Sequence, residues 1–497
     1  MTARATALLP ALLGALLLLQ GCAVSTSPVT GQRRMYAYSW ADEVKMGREA
    51  DAEIVEEMGL YEDPALTAYV ARVGEEVLAR SHMRRPEALP EYRGTPFTFR
   101  VLDSPVVNAF ALPGGYVYVT RGLLAHVENE AQLAMVLGHE VAHVAARHTS
   151  QSMLEQGIAA VGLMGVSLLA EELYELGEEV AGIGGAAVQL FMLKYDRGDE
   201  EESDRLGVEY ASQAGFRAGE GAGFFELLKR MQDDEEGGWF PSFLSTHPDP
   251  GKREETVARL AAEWAQRGPP PTRLGEDEFL DAVDGMVLGE DPRDGFVEGG
   301  AYFHPGLRLR LTVPSGWEVE HEQGRVQMAP EGAEESGVLF GAVRGRASAR
   351  AAAAAFVEEN ELVVLREGDD ARKGIPAWRL EARQADGTDT TRVTARFLEH
   401  GGRVFMLAAV GSPAEFARHE DAFERVLASF ARLADPRALG VQPTRLRVVR
   451  ARSGVPFRSL VAGRPRPRDM DEEDLALLNH LRLDDVVPAG RRLKLVQ

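Results

Sequence analysis

The run His139-Glu140-Val141-Ala142-His143 constrains this chain more than any other stretch. Two imidazoles four residues apart on a helix lie one turn above the other on one face, so both can reach a single cation. The flanks predict that helix: Asn129 is a good N-cap, Gln132 stands at the third helical position, and Leu133, Val136, Leu137, Val141 and Val144 recur on one side. Glu140 sits one residue past the first histidine, where a carboxylate can meet a metal-bound water without binding the metal itself. The chemistry this pattern serves is hydrolysis, in which bound zinc lowers the pKa of its water toward ~7 and Glu140 acts as general base during attack on a peptide carbonyl.

HExxH also arises by chance in helical proteins, so a third ligand carries weight. A histidine six residues past His143 would mark one zinc-protease type, but that position is Thr149, and the glycine such a motif places between is Ala146. Further on stands Asp199-Glu200-Glu201-Glu202-Ser203-Asp204. On a helix Glu200 and Asp204 share a face. Glu200 can then bind zinc while Asp204 holds the far nitrogen of a ligand histidine and fixes its tautomer. Without HExxH the same acidic run would read as a solvated face.

With 497 residues the chain exceeds one hydrophobic core, and one domain per ~150 residues suggests about three. Residues 1–21 form a leader: Arg4 is its single charge, an apolar stretch runs from about Leu8 to Leu19, and Gln20-Gly21-Cys22 follows. This stretch is too short to span a bilayer and resembles a lipoprotein signal peptide ending at an acylated cysteine, Cys22. Ala23 after it, in place of aspartate, resembles Gram-negative sorting to the outer membrane. A net charge of −22 argues against nucleic acid as a general partner.

The expected class is α+β, in three parts. A mainly helical, zincin-type metalloprotease domain occupies residues 22–266 and ends at Arg267-Gly268-Pro269-Pro270-Pro271, where proline stops a helix. Residues 274–437 alternate strand-like runs (Leu307 to Val313, Val338 to Val343, Thr391 to Phe397, Val404 to Val410) with two helices, which predicts an antiparallel sheet with helices on one face. Its His304, His321, His400 and His419 lack ligand spacing and suggest no chemistry. Residues 443–497 are net basic and read as a separate small module. Gly157 to Ala170 is apolar but short, fitting either a buried helix or a surface that touches a membrane.

The order of several segments resembles the zinc endopeptidase family that includes HtpX and the CAAX prenyl endopeptidases, in its periplasmic lipoprotein branch. These segments are Ser27-Pro28-Val29-Thr30-Gly31, Asn108 to Gly115, the HExxH helix, Tyr195-x-Arg197-x-x-Glu200-x-x-x-Asp204 and Thr246-His247-Pro248. The resemblance implies one zinc ion per chain at His139, His143 and Glu200, with Glu140 catalytic. Asp196 and Ser203 depart from the family's usual serine and alanine without removing a ligand. Asn108, Ala109 and Phe110 read equally as an internal hairpin strand or as an edge strand for extended substrate, and the resemblance favours the edge. His247 fits two roles, as a donor to the oxyanion or as a resting occupant of the metal's open position. His148 leaves the ligand face and, like His126, is expected to be structural.

Residues 443–497 also resemble a divergent LysM domain, a βααβ module that binds cell-wall glycans, with Gly454-Val455-Pro456 where that family has Gly-Asp-Thr. The expected whole is a metalloendopeptidase, lipid-anchored at the periplasmic face of the outer membrane and acting on unfolded or misassembled envelope proteins. It would touch peptidoglycan through its C-terminal module. The alternative is a lipoprotein chaperone or assembly factor bound to the cell wall.

Overall fold

The computed structural model describes residues 23–164, 195–233, 242–247, 250–322, 325–333, 336–384, 391–452, 454–468 and 470–497. The leader, Cys22 and most of the apolar 157–170 segment's far half lie outside them. The chain forms two compact units: one runs to Glu290 and resumes at Thr444–Gln497, and the other is Asp291–Pro443. Within the described residues, no helix is long and apolar enough to cross a membrane.

A hairpin (β1, Ala23–Thr26; β2, Arg33–Tyr36) leads into helices α1 (Trp40–Met58) and α2 (Pro64–Leu78). Each helix starts where a side chain can accept its free amides: Ser39 Oγ takes that of Asp42, and Asp63 Oδ1 takes those of Ala65 and Leu66. Strands β3 (Thr98–Leu102), β4 (Ala109–Leu112) and β5 (Tyr116–Thr120) make a sheet of order β3-β5-β4, so β4 pairs with β5 alone and is an edge. Gly114 is needed in the β4–β5 turn, where φ is 81° and a Cβ would lie 2.7 Å from Val44 Cα.

After α3 (Arg121–His126), the helix α4 (Glu130–Ala146) begins where Asn129 Oδ1 accepts the Gln132 amide at 2.9 Å. Every residue of α4 is buried, which explains its nearly uninterrupted apolar sequence. It ends at Arg147, which takes a left-handed φ of 63°. The buried Arg147 guanidinium is held by Glu43 and by the Tyr38 carbonyl at 2.8 Å, over the Tyr36 ring at 3.7 Å. Helix α5 (His148–Met164) follows, then α6 (Arg197–Gln213). At the α4–α6 crossing a Cβ added to Gly207 would lie 2.9 Å from the His139 amide nitrogen, so only glycine lets the two backbones approach this closely. That approach brings the acidic face of α6 over the HExxH face of α4.

Helices α7 (Gly221–Asp233), α8 (Ser242–Thr246) and α9 (Pro250–Ala265) complete the helical layer, and the chain leaves it before the prolines as expected. The predicted boundary near residue 266 is nonetheless displaced to Glu290. Arg273 returns to bind Glu130 at the start of α4 at 2.8 Å, and α10 (Glu276–Val283) buries Phe279, Leu280 and Val283 in the same core.

The second unit holds two antiparallel sheets. Strands β6 (Phe296–Glu298), β7 (Ala301–His304) and β8 (Leu309–Thr312) belong to the smaller one. The larger contains β9 (Trp317–Glu322), β10 (Arg325–Pro330), β11 (Gly337–Val343), β12 (Leu362–Asp369), β13 (Ala377–Gln384), β14 (Arg392–His400) and β15 (Arg403–Gly411) in the order β12-β13-β14-β15-β11-β10-β9. Helix α11 (Ala349–Glu359) lies between β11 and β12, α12 (Pro413–Ser429) follows β15, and β16 (Ala431–Arg432) closes the smaller sheet beside β8. The four expected strands and two helices are present, but not with helices on one face. Along β15, Phe405, Leu407 and Ala409 pack with Phe416 and Phe423 of α12, whereas Val404 and Ala408 pack with Ala349 and Ala352 of α11. Alternate residues face opposite sides of a sheet, so the helices cover opposite faces, and the apolar run Val404–Val410 is continuous for that reason.

The C-terminal residues run β17 (Leu446–Arg450), β18 (Val455–Pro456), α13 (Arg458–Val461), α14 (Glu472–Leu477), β19 (Val486–Val487) and β20 (Arg492–Val496), with β17 antiparallel to β20. Their separation as a module, expected at 443, is not what forms. Leu446, Phe457, Leu475, Leu478, Leu493 and Leu495 share one core with α4. So few apolar residues close no core of their own. The Lys494 ammonium, fully buried, donates to the carbonyls of Ala125 at 2.6 Å and Val127 at 2.8 Å, just ahead of α4.

Candidate metal centre

Helix α4 aims His139 and His143 toward the face of α6 that carries Glu200 and Asp204, while the turn after α8 adds His247. The Nε2 atoms of His139 and His143 stand 3.0 Å apart. Glu200 Oε1 lies 3.3 Å from His143 Nε2 and 2.8 Å from His247 Nδ1, which is itself 3.3 Å from His139 Nε2. Ligand atoms of these four buried residues all fall within 4.8 Å of one another. Imidazole nitrogens converging with a carboxylate oxygen in a dry pocket are the donor set of a metal ion, so the residues present fit one.

Glu140 stands beside this set. Its Oε1 is buried without a hydrogen-bond partner among the described residues, and His247 Nε2 lies 3.8 Å from it. Burial raises its pKa, which makes it a stronger base than a surface glutamate. Burial also acts to raise Glu200, but His247, Arg253 and His139 outweigh it and hold that carboxyl well below the usual range. Glu200 is therefore the anionic member of the set.

The surrounding groups fix the imidazoles. Asp204 Oδ1 lies 2.9 Å from His139 Nδ1, which turns Nε2 toward the centre as the ExxxD spacing predicts. His143 Nδ1 faces His148 Nδ1 at 3.0 Å, and His148 Nε2 is 3.3 Å from Asp199 and 3.5 Å from Glu202. His148 does leave the ligand face, yet it supports His143 and so does more than fill space. His126 keeps to a backbone contact with Gly122. Tyr195 stacks on the His143 ring at 4.0 Å between centroids.

Arg253 is the largest addition to the sequence reading. Its guanidinium spans both carboxylates, with Nη1 2.7 Å from Glu200 Oε2 and Nη2 2.7 Å from Asp204 Oδ1, over the Phe225 ring at 4.3 Å. No spacing rule links it to HExxH; only the fold of α9 brings it in.

Asn108, Ala109 and Phe110 lie at the start of edge strand β4 and are buried. The Phe243 amide of α8 donates to the Val107 carbonyl at 3.2 Å, so the segment that ends in His247 is docked beside the beginning of that edge.

Residues 64–261 match the model described as Peptidase family M48. The chain is 32% identical over 221 residues to the beta-barrel assembly-enhancing protease of Yersinia pestis, across 43% of this chain and 42% of that protein. It is 29% identical over 261 residues to the protein of the same name from Escherichia coli K12, across 51% and 50%. A match to the mitochondrial metalloendopeptidase OMA1 of Schizosaccharomyces pombe is 30% identical over 241 residues, across 48% and 65%. The chain thus spans about half the length of the curated relatives it matches. These matches and the four-residue cluster make residues 64–261 a metalloprotease segment.

Proposed function

We propose that the protein is a zinc metalloendopeptidase of the cell envelope, hydrolysing peptide bonds of unfolded or misassembled proteins. The observation that carries this is the convergence of His139, His143 and Glu200 with a buried Glu140 beside them, whose Oε1 has no hydrogen-bond partner among the described residues. Zinc, when bound there, supplies a Lewis acid and an activated water. Glu140 Oε1 takes the proton of the attacking water and returns it to the leaving amine. Asp204 and His148 keep the two imidazoles oriented, and Arg253 holds Glu200 ionised. The unpaired edge of β4, buried in this structure, is where an extended substrate would add a strand, which suits cleavage of unfolded chains with little side-chain selectivity. A pure chaperone would have no use for the Glu140 base.

The test pairs metal analysis with casein cleavage. We expect one zinc per chain, activity lost on chelation and restored by zinc, and no retained metal in Glu200→Ala. Full zinc occupancy in Glu200→Ala would move the third ligand elsewhere.

His247 Nδ1 lies 2.8 Å from Glu200 Oε1 and 3.3 Å from His139 Nε2, which favours the role of resting occupant. Removing it opens the centre, so His247→Ala is expected to raise basal casein cleavage at unchanged zinc content. A fall of ~10²–10³-fold would instead assign it to the oxyanion, and unchanged turnover would leave it structural.

Acylation at Cys22 places this centre at a membrane, and the sorting reading puts it on the periplasmic face of the outer membrane. Cys22→Ser is expected to abolish incorporation of labelled palmitate; continued labelling would end the anchor reading. In residues 443–497 two helices lie between the paired strands β17 and β20, with the short pair β18 and β19 inside them, and this likeness to a βααβ LysM module carries the proposal of peptidoglycan contact.

A further inference from the structure

Where the two sheets of the 291–443 unit meet, three guanidiniums stand around one cleft. The turn before β8 contributes Arg308, the β14–β15 hairpin contributes Arg403, and β16 contributes Arg432. Several arginines of this unit are matched to carboxylates, such as Arg379 with Glu424, Arg396 with Asp370 and Arg346 with Glu359, while, among the described residues, others on its strands are not. Among the described residues, Arg308, Arg403 and Arg432 have no such partner, and no carboxylate lines the cleft. In a chain of net charge −22, an acid-free pocket with three unmatched cations is a deliberate concentration of charge.

The backbone builds the cleft rather than merely permitting it. Leu433 N donates to Arg308 O at 2.8 Å, and Arg432 pairs with Leu309, so the backbone holds the Arg308 turn beside β16. His400, opposite Arg403 across the hairpin, donates Nε2–H to the Leu307 carbonyl at 3.0 Å and ties the hairpin to the turn. Its Nδ1 is buried in the same wall with no hydrogen-bond partner among the described residues. Arg308 itself adopts a φ of 54°, a conformation that non-glycine residues seldom take. The cleft measures about 560 Å³, within the range of small-molecule sites, and Leu307, Phe405 and Leu433 give it an apolar floor.

We propose that this cleft binds a phosphate-bearing ligand, with Arg308, Arg403 and Arg432 around the phosphate and the apolar floor beneath the group it carries. Three guanidinium charges exceed the single charge of a carboxylate, whereas a phosphate brings more charge and more acceptor oxygens. A soluble phosphate ester and a phospholipid headgroup share that chemistry.

The experiment uses the full mature chain with Cys22→Ser, so that no acyl anchor contributes, and compares it with the Arg308→Asn/Arg403→Gln/Arg432→Gln variant. All three side chains are exposed. Asparagine is chosen at 308 because it tolerates a positive φ. Equal thermal unfolding and equal casein cleavage establish that both fold. Equilibrium dialysis with labelled inorganic phosphate and flotation with phosphatidylglycerol or phosphatidylcholine vesicles are the readouts. We expect at least a tenfold weakening in the triple variant: of free phosphate if the ligand is soluble, of phosphatidylglycerol vesicles alone if it is a headgroup. A parent chain that binds neither probe, or a triple variant that binds both as the parent does, overturns the proposal.

Discussion

Glu140→Gln is expected to leave zinc in place and lower kcat/KM for casein by ~10²–10⁴-fold, the usual contribution of a positioned general base. Glutamine keeps the size of the side chain, and Glu140 takes no part in the cluster of His139, His143, Glu200 and His247. Metal content should therefore match the parent, and so should thermal stability or better it, because a buried carboxylate is costly and an amide is less so. A Glu140→Gln protein that loses zinc would make Glu140 a ligand. One that retains both zinc and turnover would show that Glu140 is not the general base.

The parts of this centre that the sequence discloses are those set by helical periodicity. His139 and His143 four residues apart, and Glu200 and Asp204 four residues apart, share their faces by local geometry alone. Asn129 announces the start of α4 because a cap is a local hydrogen bond. What escapes is what tertiary approach decides. Arg253 reaches Glu200 and Asp204 from a third helix, and His148 supports His143 although it points off the ligand face. Gly138 and Gly207 look like helix weaknesses in sequence, yet a Cβ on either would intrude on the other helix's backbone. In the second unit the strands were legible from apolar runs, but a continuous run such as Val404 to Val410 states only that a strand is buried. It does not say that a different helix lies on each side.

The expected end near residue 266 and the separateness of residues 443–497 differ from the observed units for a related reason, and that difference yields the second large effect. Proline and charge mark where helices stop, not which core a later segment joins. Leu288 N donates to Thr444 O at 2.9 Å and Leu446 N to Met286 O at 2.8 Å, so the chain leaves the first unit and re-enters it at nearly the same place. Residues 291–443 are then an insertion, and joining Glu290 to Thr444 through a short glycine linker is expected to leave zinc content and casein cleavage within about twofold, since closing so short a gap costs little loop entropy. Ending the chain at residue 443 is expected to do the opposite. It strips Phe457, Leu475, Leu478, Leu493 and Leu495 from the core that holds α4, and at ~1.5–3 kcal/mol for each large buried side chain the loss approaches the whole stability of a domain. Insoluble or metal-free protein is the expected result. A pH profile identifies Lys494 as part of that anchorage: burial lowers its pKa to about 7, so from there to the free-lysine value of ~10.4 the unfolded chain holds a proton that the folded chain does not. Stability should rise with pH through that window, and Lys494→Met should flatten the rise. A chain ended at residue 443 that unfolds cooperatively and still cleaves casein would show that the C-terminal residues are, after all, a separable module.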